Sequence, residues 1–228
     1  MKNKKQTMNE KLNTLRAGVL GSNDGILTVV GVLFSVAVAT PNIFTIFIAG
    51  LSDLLACAFS MASGEYASVS SQRDAESAAV KVEQKLLEED IDSEINDVKQ
   101  YYLKRGISDE TSTEIAKELI AKKPLDTVVN TKYGIQLGHY MSPWNAAFSS
   151  LISAALGGIF PLLAMSLTSG IYRWPSTIAA VILSVAITGY LSAKLGNGLV
   201  KTAIIRNIII GILTMAIHFA LGKLMNQF

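Results

Sequence analysis

Residues 43–66 read IFTIFIAGLSDLLACAFSMASGEY, a run that is apolar or small almost throughout and carries two acids, Asp53 and Glu65. An α-helix crosses a bilayer in about 20 mostly apolar residues, so this stretch predicts a membrane span, and its acids pose the functional question. Four further stretches have the same character, at roughly 17–39, 145–169, 174–193 and 203–222. Pro41-Asn42 and Tyr172-Arg173-Trp174-Pro175 break the chain between spans, and the aromatic pair stands where interfacial anchors stand. A cleavable leader competes for the first stretch, because Lys2, Lys4, Lys5 and Lys11 precede it and Ala37-Val38-Ala39 resembles a cleavage site. The apolar run is longer than a usual leader core, which favours a span.

The composition agrees. Half of the 228 residues are hydrophobic and 17% are charged, against about 25% charged in an ordinary soluble domain. Fourteen of the eighteen acids fall between Asp74 and Asp126, which gives a polar middle and two apolar ends. The predicted fold is therefore an all-α membrane protein of five transmembrane helices, with a small helical cytosolic domain inserted between the second and third. Residues 1–70 hold the N-terminal tail and spans one and two, 71–143 the acidic domain, and 144–228 spans three to five. In the middle segment Val82, Leu86, Leu87, Ile91, Ile95 and Val98 recur at helical spacing and predict a helix from Ala75 to Leu103, with Gly106 as a stop. A second helix is expected from a Ser108 or Asp109 cap to about Lys122, and a third from Leu125 to Tyr133 after Pro124.

Orientation follows from the basic residues. With the N-terminus cytosolic, eighteen of the twenty Lys and Arg lie on the cytosolic side and only Arg173 and Lys223 on the other, so the C-terminus is expected outside. A net charge of +2 without an aromatic-interleaved basic patch argues against nucleic acid. One cysteine, Cys57, excludes a disulfide framework and paired-cysteine zinc sites. No His-Glu-x-x-His, Glu-x-x-His or Gly-x-Ser-x-Gly pattern is present, so no enzyme is expected. Compactness, short tails and the lack of a sorting signal suggest a bacterial cytoplasmic membrane.

The acids inside the apolar runs carry the chemistry. Asp24 lies in Gly21-Ser22-Asn23-Asp24-Gly25 of the first span, and Asp53 and Glu65 lie in the second. A carboxylate near the bilayer centre costs at least a few kcal/mol, so it needs a partner or a function. Few basic residues fall in the spans and none near these positions, which suggests a cation or proton site. The competing reading makes Asp24 the cap of a broken helix and Glu65 merely interfacial. Asp53, Cys57, Met61 and Glu65 recur every four residues, a stripe that drifts slowly around one helical face. Carboxylates suit hard and borderline cations while a thioether favours softer ones, so the mixture points to a transition metal. Met61 and Cys57 taken singly are also ordinary packing residues.

Two motifs, Arg16-Ala-Gly-Val-Leu-Gly-Ser-Asn-Asp-Gly25 and Ser60-Met-Ala-Ser-Gly-Glu-Tyr-Ala-Ser-Val-Ser-Ser-Gln-Arg-Asp74, resemble those of the vacuolar iron transporter family, as do Arg105-Gly106 and Gly157-Gly158 to Pro161-Leu-Leu163. The resemblance implies a homodimer of five-helix subunits in a lipid bilayer that exchanges Fe2+ or Mn2+ for protons, with no permanently bound cofactor and the metal path near the dimer interface. It places intramembrane metal positions at Asp24, Asp53 and Met61, with Glu65 in the same motif. Asp53 stands where a glutamate is expected. It also implies a metal-binding cytosolic domain, whose acids match Glu83, Glu94 and Asp97, while Leu86 replaces an expected acid. Glu88, Glu89 and Asp90 are possible substitutes, and His139 and Met141 approach from the domain's end. The alternatives are a solvated acidic face and, for the whole protein, a membrane-anchored metal buffer or sensor without transport.

Overall fold

The computed structural model describes residues 8–225; Lys2, Lys4 and Lys5, used above for orientation, lie outside the described residues. The described residues form eight α-helices: α1 (Met8–Ala39), α2 (Ile43–Glu89), α3 (Ile91–Leu103), α4 (Asp109–Lys122), α5 (Pro124–Tyr133), α6 (Pro143–Leu167), α7 (Arg173–Leu195) and α8 (Val200–Met225). A 3₁₀ turn, Gly170–Tyr172, precedes α7. Helices α1, α2, α6, α7 and α8 are long and apolar enough to cross a membrane, in the order that the sequence predicts.

One expectation is corrected. The helix predicted to begin at Ala75 is the continuation of the second span, because Ile43–Glu89 is a single helix of 47 residues. No Gly or Pro lies between Tyr66 and Glu89, so nothing halts helix propagation where the apolar run ends. At 1.5 Å per residue α2 is about 70 Å long, more than twice the roughly 30 Å hydrocarbon thickness. Its polar half must therefore leave the apolar layer. The predicted helix then breaks at Asp90, whose carboxylate accepts a hydrogen bond from the Ser93 N–H at 3.0 Å and starts α3.

The chain divides into two compact units, one holding α1, α2 as far as Ser68 and α6 to α8, the other spanning Val69–Met141. In the first unit α1 is central, with Ala17, Ile26, Val29, Val30 and Leu33 wholly buried. It runs parallel to α6 through a seam of small residues. A Cβ on Gly21 would stand 2.6 Å from the Ser150 carbonyl oxygen, one on Gly25 would overlap the Ala154 carbonyl, and one on Gly158 would stand 2.5 Å from the Gly25 carbonyl. Small residues at such spacing let two backbones touch where no hydrophobic effect drives association. Pro161 lies inside α6, tolerated where neighbouring helices cover the backbone it leaves unpaired.

Polar contacts add to the seam. Ser22 and Thr188 share a hydrogen bond of 3.0 Å between α1 and α7, and Asn207 of α8 donates to the Val185 carbonyl of α7 at 3.4 Å. Trp174 packs edge-on against Phe34 and Phe219, with ring centroids 5.0 and 5.6 Å away. Tyr172 of the same motif is exposed.

The second unit is built on Val98, Ala116, Ile120 and Val128, with Leu87, Ile95 and Tyr102 packed against them. The Ser108 hydroxyl accepts from the Thr111 N–H and caps α4, as predicted. Gly106 (φ +86°) and Gly134 (φ +69°) take the left-handed turns that end α3 and α5.

Candidate functional site

Helices α1 and α2 lie antiparallel, joined by the short 40–42 turn. Leu33 packs at Gly50, Thr28 hydrogen-bonds Cys57, and Arg16 meets Glu65. The stripe Asp53, Cys57, Met61 and Glu65 thus runs beside α1 for about 18 Å of helix.

Asp24 sits in the middle of an unbroken α1 and is exposed on the surface of the single chain. It caps nothing, so the reading of Asp24 as a helix cap is removed. The Asp24 and Asp53 carboxylates lie close enough to the Cys57 thiol for their charges to act on it. The two acids, one from each helix, therefore share a locality with Thr28 and Cys57. Asp53 is half-buried, and its Oδ2 is buried without a hydrogen-bond donor. A buried oxygen left without a partner is costly. Met61, one turn beyond Cys57, is half-buried.

At the far end of the stripe Glu65 is buried, at 8% exposure, and the Arg16 guanidinium lies 3.8 Å from its Oε2. The expectation that no base lies near the acids is corrected here. Arg16 precedes the apolar run of the first span, so it was counted with the tail, and only the antiparallel packing of α2 brings Glu65 to it.

A large cavity of about 920 Å³ lies among α1, α6 and α7, lined by residues such as Gly18, Ser22, Ser153, Leu183 and Thr188. None of the candidate acids lines it.

In the second unit Glu83 of α2, Glu94 and Asp97 of α3 and Lys132 of α5 converge. The Lys132 Nζ lies 3.0 Å from Glu83 Oε2, 2.7 Å from Glu94 Oε2 and 3.0 Å from Asp97 Oδ2. The Tyr133 hydroxyl donates to Glu83 Oε1 at 2.7 Å. Glu83 and Glu94 are 1% and 3% exposed, whereas the Asp97 carboxylate is 48% exposed. Burial pushes the Glu94 carboxyl above its usual range, and Lys132 only partly counters this. For Lys132 burial works against the charge, but hydrogen bonds to Glu94, Asp97 and Glu83 outweigh it and hold the ammonium above its ordinary value. The hydrogen bond to Glu83, then burial, raises Tyr133.

Two of the other three acids are engaged elsewhere. Glu89 pairs with Lys85 at 3.4 Å, Asp90 caps α3, and Glu88 is exposed. His139 is exposed and Met141 half-buried in the segment after α5. Among the described residues no group of three or more His, Cys, Asp or Glu is arranged to hold a metal ion. Reading the sequence alone overlooked Arg16, Thr28, Lys132 and Tyr133.

The family model described as VIT family matches residues 15–223. The chain belongs to the VIT family. The proteins it resembles include a "Vacuolar iron transporter" of Acanthamoeba castellanii, 34% identical over 213 residues, covering 92% of this chain and 78% of that protein. "Vacuolar iron transporter homolog 3" of Arabidopsis thaliana is 31% identical over 214 residues, covering 93% and 84%. "Vacuolar iron transporter homolog 1" of Oryza sativa subsp. japonica is 31% identical over 215 residues, covering 92% and 73%. Membership of the VIT family, with five apolar helices, makes this an integral multi-pass membrane protein and a transporter rather than an enzyme.

Proposed function

We propose that the protein carries a divalent transition metal, Fe2+ or Mn2+, out of the cytosol in exchange for protons along the α1–α2 stripe. The observation that carries this reading is the buried Asp53 oxygen that lacks a donor, in an apolar helix where the charges of Asp53 and of Asp24 on the neighbouring helix both reach Cys57. The names of the relatives, vacuolar iron transporter, support iron as cargo. Met61, one turn beyond Cys57, biases the route toward transition metals over Mg2+. An acid in an apolar layer favours its neutral form alone and its ionised form beside a divalent cation. One shared site then exchanges the two, because metal entry expels protons and proton entry expels metal.

Asp24 is exposed on the single chain although it lies in the middle of an apolar span, a position that membrane lipid does not tolerate cheaply. A second copy covering this face satisfies it and supports a homodimer with the route at the interface. The asymmetry of basic residues supports a cytosolic N-terminus and a cytosolic Val69–Met141 unit. A reporter inserted near Asp92 should accordingly report from the cytosol, and one fused at the C-terminus from the opposite side. Both reporters on one side would remove the five-span arrangement.

Sealed proteoliposomes test the carrier reading. The protein should accumulate Fe2+ or Mn2+ far beyond one ion per chain while leaving Mg2+ outside. Binding in proportion to protein, without flux, would favour a membrane-anchored metal buffer.

A further inference from the structure

We infer that Lys132 is the resident cation of the acid cluster in the Val69–Met141 unit, so that α2, α3 and α5 are held together by a tethered ammonium and the cluster does not take up a divalent metal. The inference is independent of the transport reading, since it concerns only the second unit. Its ground is geometric. One Nζ lies within 3.0 Å of carboxylate oxygens from Glu83, Glu94 and Asp97, so it occupies the point on which the three acids converge. A metal ion bound there would have to displace it. The Lys132 side chain is 20% exposed and those of Glu83 and Glu94 are 2% and 3% exposed, which leaves little water to stabilise the two acids if the ammonium left. The second oxygen of Glu83 is also taken, by the Tyr133 hydroxyl.

Chemistry gives the arrangement a consequence. A divalent ion held by carboxylates depends on its concentration, whereas a lysine on a neighbouring helix is present at fixed, high effective concentration. The packing of these three helices is then set by the chain and does not vary with cytosolic metal. Removing the ammonium leaves buried carboxylates without a counter-charge, a strongly destabilising change, and produces the oxygen-rich vacancy that a hard or borderline cation fills.

The test uses the full chain in detergent micelles, in an Asp24→Asn, Asp53→Asn background that silences the membrane stripe, with Mn2+ as the probe. Without Lys132→Met, Mn2+ should leave the unfolding midpoint unchanged and bind no more strongly than when Glu83, Glu94 and Asp97 are replaced by the amides. Lys132→Met should lower the midpoint by roughly 5–10 °C, and Mn2+ should restore it while binding in one new site per chain. Adding the three amide replacements to Lys132→Met should abolish that site. Lys132→Arg keeps a cation and should stay metal-independent, which provides a reading if the methionine variant does not fold. The inference is overturned if the chain with Lys132 intact binds Mn2+ in a way that the amide replacements remove. It is equally overturned if Lys132→Met folds with unchanged stability and gains no Mn2+ site.

Discussion

Asp24→Asn is expected to reduce metal flux by more than ~10-fold in proteoliposomes, since even residues that only support metal ligands are worth 10- to 100-fold. The substitution removes a charge with almost no change in volume. Asp24 is exposed on the single chain, so folding should survive and the purified variant should elute as the wild type does. Asp53→Asn should have the same effect, because both carboxylates lie near enough to the Cys57 thiol for their charges to act on it and the proposed route uses both charges. Flux near the wild-type level in either variant would return these acids to a structural role.

Gly25→Val should be as severe, by a different route. The added Cβ would overlap the Ala154 carbonyl, and the Gly25 carbonyl itself faces Gly158 at the same crossing. Neither obstacle is the end of a flexible side chain, so α1 and α6 must move apart. Overpacking of a tight core costs about 1–3 kcal/mol, occasionally more, and here the obstacle is backbone. The expected result is a loss of folded protein on extraction, measured as the monodisperse fraction and its unfolding temperature. An unchanged unfolding temperature would mean that the α1–α6 seam is looser than these distances say.

The spans were legible because bilayer thickness imposes a length that composition alone reveals, and because Pro41 breaks the chain between the first two; Gly106 and Pro124 punctuate the second unit in the same way. The continuity of α2 was obscured by reading the change from apolar to polar residues at Ser68–Asp74 as a boundary. It is a change of composition only, and a helix without Gly or Pro continues through it. The stripe Asp53 to Glu65 was legible from spacing within one helix. Its partners were not, because Thr28 and Arg16 reach it only through the register of α2 against α1, which the 40–42 turn sets.

Lys132 was less accessible still. It lies 49 residues from Glu83 and 38 from Glu94, and its sequence neighbourhood, a short amphipathic helix, gives no sign that its ammonium points into acids. The family resemblance singles out Glu83, Glu94 and Asp97 as metal positions, and the fold brings the three together on one ammonium. What the resemblance did not supply is the cation on which they meet.

The exchange of metal for protons at one site is tested most directly by recording both movements in the same vesicles. Wild-type proteoliposomes carrying a metal-sensitive and a pH-sensitive dye would be given Mn2+ or Fe2+ outside. The account predicts that metal entry is matched by proton exit, that an imposed proton gradient accelerates it, and that Asp24→Asn abolishes both signals together. Metal entry with no accompanying change in internal pH would contradict it.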